Sequence, residues 1–363
     1  MFADIYAGSR ILVTGHTGFK GSWLCTWLLE LGAKVAGYSL NVPSEPANFE
    51  VLGLEEQIHH YQGDVRDRDK LKQVFATFQP EIVFHLAAQA LVKRSYQEPI
   101  VTFETNTLGT MNVLETIRQH SSVHAAVIIT SDKCYQNVEW VWGYRENDRI
   151  GGDDPYSASK GCAELIAASY MHSYFQNEWP QIATTRAGNV IGGGDWAADR
   201  IVPDCIRAWS EGKSVTIRNP NATRPWQHVL EPLSGYLWLG ANLYQGNNHL
   251  KNESFNFGPQ ATVNQSVEVL IAQMAKHWDG VTWESLKKDG NQPEATLLKL
   301  SCDKALHHLG WYAVLPFEET VSFTSEWYKN YYTKDTDSMF EFTQKQIAQY
   351  VSRAKSEGLL WTN

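Results

Sequence analysis

Short apolar runs alternate with longer stretches in which apolar positions recur every three or four residues through the first half of the chain. The short runs predict buried parallel strands at Ile11–Thr14, Lys34–Tyr38, Ile58–Gln62, Ile82–Leu86, Ala125–Thr130 and Ile182–Arg186. The stretches between them predict helices at Ser22–Leu31, Asp67–Phe78, Pro99–His120 and Pro155–Phe175, with Gly32 as a stop signal for the first. Strand–helix alternation of this kind implies an α/β, Rossmann-type doubly wound parallel sheet. Such sheets bind ligands beyond the carboxyl ends of their strands. The segments that follow those ends are Gly15–Gly21, Asp64-Val65, Ala87-Ala88-Gln89, Ser131–Lys133 and Ala187–Val190.

After about residue 187 the alternation breaks. Gly192-Gly193-Gly194-Asp195-Trp196 reads as a flexible turn, and polar, Pro-containing stretches follow. The expected organisation is a first domain over 1–187 with returning segments at about 228–258. A smaller mixed α/β lobe is expected from 188–227 and 259–332, and a C-terminal helical segment from 333–363. Phe317 to Tyr350 is helical and amphipathic in pattern.

Composition narrows the classes. With 363 residues the chain holds one large or two modest domains, and 43% hydrophobic with 20% charged positions is ordinary globular usage. A net charge of −9 and the absence of a Lys/Arg-rich stretch argue against nucleic acid as a partner. The five cysteines (25, 134, 162, 205, 302) are scattered without CxxC or Cys/His spacing, so reduced thiols and no metal are expected. His120 and His124 stand at i and i+4, yet no nearby carboxylate or cysteine completes a metal site. MFADIYAGSR lacks the pattern of a signal peptide, and no apolar run reaches the length of a membrane span, so a cytoplasmic protein is expected. Most of the 14 tryptophans are expected in the core, with sugar stacking open to Trp196 or Trp226.

Two segments carry candidate chemistry. Thr14-Gly15-His16-Thr17-Gly18-Phe19-Lys20-Gly21 turns from the first strand into the first helix with GxxGxxG spacing. Glycines let backbone approach a pyrophosphate, and a helix N-terminus offers free N–H donors and a favourable dipole. The second is Tyr156 with Lys160, one helical turn apart, downstream of Thr130-Ser131-Asp132-Lys133-Cys134-Tyr135. An ammonium beside a phenol lowers its pKa from about 10 towards the working range. Such a phenol takes a proton from an alcohol as hydride leaves the same carbon. Ser131 can hydrogen-bond that hydroxyl. Asp132 and Lys133 add an acid and a possible base, which points to a second chemical event at a neighbouring carbon.

TGHTGFKG, FHLAAQA, ITSDKCYQN, PYSASK and TRAGNVIGGGDW, in this order, resemble the extended short-chain dehydrogenase/reductase superfamily. The Ser-Asp-Lys motif and RPWQHVLEPLSGY resemble the CDP-D-glucose 4,6-dehydratase family within it. The resemblance implies bound NAD, CDP-D-glucose as the partner and CDP-4-keto-6-deoxy-D-glucose as the product, a precursor for deoxysugars of bacterial surface polysaccharide such as the O-antigen of lipopolysaccharide. It implies Tyr156 as base at the sugar 4-hydroxyl, Lys160 as its electrostatic partner, Ser131 as orienter and Asp132 as the acid at C6, its pKa raised by burial. Lys133 departs from the wider dehydratase group, where Glu commonly follows the Asp. A neutral Lys133 can act as the C5 base; a charged one can stabilise the enolate.

The resemblance also implies cofactor contacts from Gly15, Thr17, Gly18, Phe19, Gly21, Ser39, Asp64, Val65, Ala87, Ala88, Gln89, Tyr156 and Lys160. Ser39 stands where an NAD-preferring fold usually places an acidic residue on the ribose, and Ser39 or Asn41 supplies at most a neutral hydrogen bond there. Asn189 matches the family's substrate-side Asn. Arg218 and Arg224 are diphosphate candidates, with Arg200 beside them, because guanidinium forks bind phosphate. The helices Pro99–His120 and Pro155–Phe175 form a dimer interface in this superfamily, so a homodimer is expected. A nucleotide-sugar 4-epimerase shares Tyr156, Lys160 and NAD but has no use for Asp132-Lys133. A non-catalytic NAD-sensing regulator tends to lose the Tyr or Lys that are present here.

Overall fold

The computed structural model describes residues 1–176, 179–217, 219–260, 262–285, 297–334 and 338–363. Its centre is a seven-stranded, wholly parallel sheet. The strands are β1 (Arg10–Thr14), β2 (Lys34–Ser39), β3 (His59–Gln62), β4 (Ile82–His85), β5 (Ala125–Ile129), β6 (Gln181–Arg186) and β7 (Ser254–Asn256). Their spatial order is β3-β2-β1-β4-β5-β6-β7, which switches direction between β1 and β4. A crevice at such a switch point is where this architecture binds ligands. β1, β4, β5 and β6 are nearly or wholly buried along their length, the burial expected of strands covered by helices on both faces.

The six predicted strands are present with ends shifted by at most one residue, and β7 joins them through the buried helix Leu230–Tyr244. Three residues of mixed polarity give β7 no periodic signature. The predicted helix over Pro99–His120 is interrupted. It runs as α-helix over Pro99–Phe103, widens into a π turn at Glu104–Leu108 and resumes as α-helix over Gly109–Gln119. The π turn aims Asn106 at the loop after β4, where it contacts Gln89 N at 2.7 Å and Gln89 O at 3.0 Å. The C-terminal region forms two helices, Phe317–Thr333 and Met339–Ser356.

The GGGDW segment is not a flexible turn. Residues 191–196 are buried, and a Cβ at Gly193 would fall 2.0 Å from the Trp327 ring. Trp23 Nε1 donates to Gly193 O at 2.8 Å. Trp196 packs on Trp327, Tyr328 and Tyr331, and Trp226 is 7% exposed. Both indoles belong to the core. His120 packs on Phe75, and His124 lies against Trp179 and Tyr244. Among the described residues no group of three His, Cys, Asp or Glu is placed to hold a metal, and no helix is long and apolar enough to cross a membrane. All five cysteines are free thiols.

His228 is fully buried between Trp23 and Phe323, and burial lowers its pKa to about 3. The folded ring therefore stays neutral while the unfolded one takes a proton below about 6.5. Stability falls as pH drops from about 6.5 towards 3, by roughly 1.4 kcal/mol per pH unit. His228→Phe is expected to lose this component. Between pH 6.5 and 5, wild-type unfolding free energy from denaturant titration should fall by roughly 2 kcal/mol more than that of the variant. Equal slopes would refute the assignment.

Candidate active site

The turn after β1 is built for close backbone approach. Gly15 has φ +77°, and a Cβ there would meet Ala87 N at 2.7 Å; a Cβ at Gly21 would meet Gly15 O at 2.2 Å. Gly18 precedes the helix Phe19–Glu30, and no side chain caps it, so its first-turn N–H groups have no side-chain acceptor. Phe19 lies where a Cβ on Gly192 would meet its ring at 3.1 Å, so the turn abuts the GGGDW seam.

Ser39 serves the turn itself. Its Oγ lies 2.8 Å from His16 Nδ1, and His16 Nε2 lies 2.7 Å from His60 Nδ1. Burial, with the neighbouring His60, lowers His16 to about 3. Gly37 makes room for this ring, since a Cβ would sit 2.2 Å from it. Thr17 Oγ1 donates to Asn41 O at 2.7 Å. His16 and His60 escaped the sequence reading, although a histidine inside a glycine-rich turn was a visible anomaly.

At the end of β3, burial raises the Asp64 carboxyl, but hydrogen bonds and charge from Arg66 hold it below the usual range. Val65 is buried against Gly109. Beyond β4, Ala87 N donates to Thr14 Oγ1 at 3.2 Å. Ala88 follows, half-buried, and Gln89 is tied by Nε2 to Thr102 Oγ1 at 2.9 Å. Gln89 thus shapes this loop through its side chain.

The carboxyl end of β5 carries the reactive cluster. Ser131 Oγ donates to Asp132 Oδ1 at 2.9 Å and accepts from Lys133 N at 3.2 Å. Ser131, Asp132, Tyr156 and Lys160 are 6, 5, 8 and 6% exposed, so water is largely excluded. Asp132 lies directly on the backbone beyond β6: a Cβ at Gly188 would be 1.8 Å from its Oδ2. Lys133 is half-buried. Asn189 follows Gly188 with φ +52°, a left-handed conformation Asn tolerates, and its carbonyl accepts from Gln227 N at 3.2 Å.

The expectation of a phenol lowered by Lys160 is not met. Burial raises Tyr156 to about 12, against the Ser131 hydroxyl and the Arg200 charge, which pull it down. Burial also lowers Lys160 to about 8, with Glu164 opposing, and its Nζ donates to Ile129 O at a long 3.5 Å. Desolvation penalises whichever form is charged, so it moves the acid up and the ammonium down together.

Three charged residues outside the predicted set join the cluster. Lys20, inside the glycine turn, is lowered to about 8 by burial and by Arg200 and Lys160, with Asp132 and Asp195 opposing. Asp195 Oδ2 holds Arg200 Nη1 at 2.8 Å. Glu164 sits one turn beyond Lys160 and pairs with Arg186 at 2.7 Å. Arg200 therefore stands at the reactive end of the cleft. Arg224 lies on the short strand Thr223–Arg224, paired antiparallel with Gln265–Ser266, and Arg218 lies outside the described residues.

The family model of GDP-mannose 4,6 dehydratase matches residues 12–324. The chain is 46% identical over 355 residues to CDP-glucose 4,6-dehydratase of Salmonella typhimurium, covering 96% of this chain and 98% of the relative. Among solved structures it resembles UDP-glucose 4-epimerase of Thermus thermophilus in complex with NAD, at TM-score 0.76 and 25% identity, covering 88% of this chain and 99% of that one. It also shares the fold of dTDP-glucose 4,6-dehydratase of Bacillus anthracis in complex with NAD, at TM-score 0.72 and 21% identity, covering 89% and 97%.

Gly188→Ala is expected to push the Asp132 carboxylate out of place and lower kcat by on the order of 10²-fold or more, with far-UV circular dichroism unchanged. A folded variant of wild-type kcat would show that this contact does not position Asp132 for turnover.

Proposed function

The chain belongs to the GDP-mannose 4,6-dehydratase family, and from that premise we propose that it dehydrates CDP-D-glucose to CDP-4-keto-6-deoxy-D-glucose with NAD bound in the cleft. The observation that carries this reading is the Ser131–Asp132 pair, buried beside Tyr156 with Asp132 against Gly188. A 4-epimerase has no need for an acid/base pair at Asp132 and Lys133.

The cleft fits a dinucleotide. Gly15 and Gly21 leave space that any Cβ would fill, and the uncapped helix Phe19–Glu30 offers donors to a pyrophosphate. Gly15, Thr17, Gly18, Phe19 and Gly21 would hold that end, Ala87, Ala88 and Gln89 the middle, Asp64 and Val65 the adenine, and Tyr156 and Lys160 the nicotinamide ribose. The Ser39 hydroxyl is engaged by His16, so the acidic ribose contact usual for NAD has no counterpart at this position. When bound, NAD supplies a hydride acceptor at C4 and a donor at C6, so no net redox change results.

The residues then divide the proton chemistry. Tyr156 takes the proton of the 4-hydroxyl, oriented by Ser131. Lys160 and Arg200 supply the positive charge that offsets the buried phenolate. The 4-ketone acidifies C5, and Lys133 takes that proton. Asp132 delivers a proton to the C6 oxygen, which leaves as water. Asn189, Arg200, Arg218 and Arg224 are the candidates for the nucleotide diphosphate.

The product would feed deoxysugars of a bacterial surface polysaccharide, the O-antigen of lipopolysaccharide among them, in the cytoplasm. The chain acts as a homodimer on this reading, without membrane or nucleic acid. Ile100, Leu108 and Leu165 are 72, 46 and 61% exposed on the two helices expected to pair, which supports this face as the interface. Leu165→Glu is expected to halve the mass measured by analytical ultracentrifugation, and an unchanged mass would refute this face.

The function is tested by incubating the protein with NAD and, separately, CDP-glucose, dTDP-glucose, UDP-glucose and GDP-mannose, with mass spectrometry of the sugars. Loss of one water from CDP-glucose alone, without net NADH, is expected, and Tyr156→Phe should abolish it while retaining NAD binding. Conversion to the galactose isomer at constant mass would favour an epimerase. No change with any sugar would favour a regulator.

A further inference from the structure

We infer that Glu164 is a positioning residue of this reaction: its buried carboxylate keeps Lys160 charged and ties the strand ends bearing Ser131 and Asn189 to the helix Pro155–Ser173. The inference deepens the dehydratase reading and rests on it. Lys160 and Glu164 stand at i and i+4 of that helix, on one face, and are 6 and 4% exposed.

The carboxylate touches the residue after β5 and two residues of β6, the strands that lead to Ser131 and to Asn189. Oε1 accepts from Thr130 Oγ1, the residue before Ser131. Oε2 accepts from Thr184 Oγ1 at 2.9 Å and from Arg186 Nη2 at 2.7 Å on β6, which leads to Gly188 and Asn189. Arg186 is shared further, donating through Nη1 to Tyr135 Oη at 2.7 Å and Glu146 O at 2.9 Å. Its guanidinium also lies over the Tyr135 ring, 4.9 Å from the centroid.

Lys160 needs an anion. Its hydrogen bond to Ile129 O is long, and burial alone drives the ammonium towards neutrality. A neutral Lys160 would withdraw a positive charge from the Tyr156 phenolate. The other titratable groups around it are Cys134 on the turn Asp132–Cys134, His85 on β4 and Lys20 on the facing helix. Cys134 is held protonated by burial, His85 is neutral and Lys20 repels, which leaves Glu164 as the anion that sustains Lys160. At the generic i, i+4 spacing of about 5–6 Å and an effective dielectric of about 20, a unit charge is worth about two pKa units, and the Arg186 cation on the same carboxylate offsets part of it.

The test compares wild type, Glu164→Gln and Glu164→Asp. Competitive labelling with acetic anhydride, read by mass spectrometry of the Lys160 peptide against pH, reports Lys160 without substrate. The alkaline limb of kcat/KM with CDP-glucose reports it during turnover. Glu164→Gln is expected to lower both midpoints by about one to two pH units, and Glu164→Asp, which keeps the charge, to return them towards wild type. If Glu164→Gln does not fold, Glu164→Gln/Arg186→Met leaves no unpaired buried guanidinium; because it removes the anion together with its counter-cation, its midpoints are expected to fall below wild type by less than those of Glu164→Gln. Midpoints coincident with wild type in the folded variant overturn the inference. Wild-type protein that labels as expected but dehydrates no sugar overturns the dehydratase reading and leaves the role of Glu164 towards Lys160 standing.

Discussion

The Glu164 carboxylate is taken out of water at the centre of the sheet's carboxyl edge, and both of its oxygens are satisfied by donors from β6 and from the residue after β5. A buried ion is tolerable only when its lone pairs are filled and its charge matched. Thr130, Thr184 and Arg186 meet that condition together. The same contacts fix the relative heights of β5, β6 and the helix Pro155–Ser173. Ser131, Asp132, Tyr156, Lys160 and Asn189 all hang from these three elements. An error in any one of them would open the pair and leave a charge buried alone, so the arrangement specifies geometry more than it adds stability.

A second constraint is the absence of side chains at the seam facing this edge. Gly188 admits the Asp132 carboxylate, Gly193 admits Trp327, and Gly194, at φ +81°, sits where a Cβ would strike the Asn48 amide at 2.2 Å. The backbone of residues 188–194 thus lies against Asp132, Asn48 and Trp327, the last on a C-terminal helix. Trp327 donates to Thr343 at 2.9 Å, and Tyr328 donates to Asp195 O, so the last two helices fix the segment that carries Asp195 and presents it to Arg200. The C-terminal region is diagnostic of little by sequence, yet its first helix packs on Gly193, Asp195 and Trp196.

Much of this was legible from pattern. β1 to β6 are buried runs whose apolar character survives in any parallel sheet, and the glycine turn and the Tyr-Lys pair are read from local spacing. The π turn at Glu104–Leu108 was invisible because one widened turn leaves apolar periodicity almost unchanged while redirecting Asn106. β7 was invisible because pairing with β6 forms it, not propensity. Lys20, Glu164 and Asp195 escaped because their burial and the set of charges gathered around them are fixed only by the fold. Each still left a trace: a lysine inside a glycine turn, an acid one turn beyond a candidate catalytic lysine, an acid amid three glycines and a tryptophan. Ser39 shows the converse. Its position suggested a ribose contact, but His16, two residues into the turn, claims its hydroxyl.

Burial acts on this site with opposite signs that converge. It lifts the Tyr156 phenol to about 12 and lowers Lys20 and Lys160 to about 8, so each group is pushed towards its neutral form. A dry cleft left to itself would lose the charges that acid–base chemistry requires. The fixed anions restore them selectively: Glu164 favours the protonated Lys160, Asp132 and Asp195 favour the protonated Lys20, and Asp195 holds Arg200 beside the phenol. Asp132 also raises Tyr156, so one carboxylate opposes ionisation of the base while supporting the cation that faces it. The groups proposed to act at C4 and C6 therefore share one small, desolvated cluster in which each charge is felt by the others.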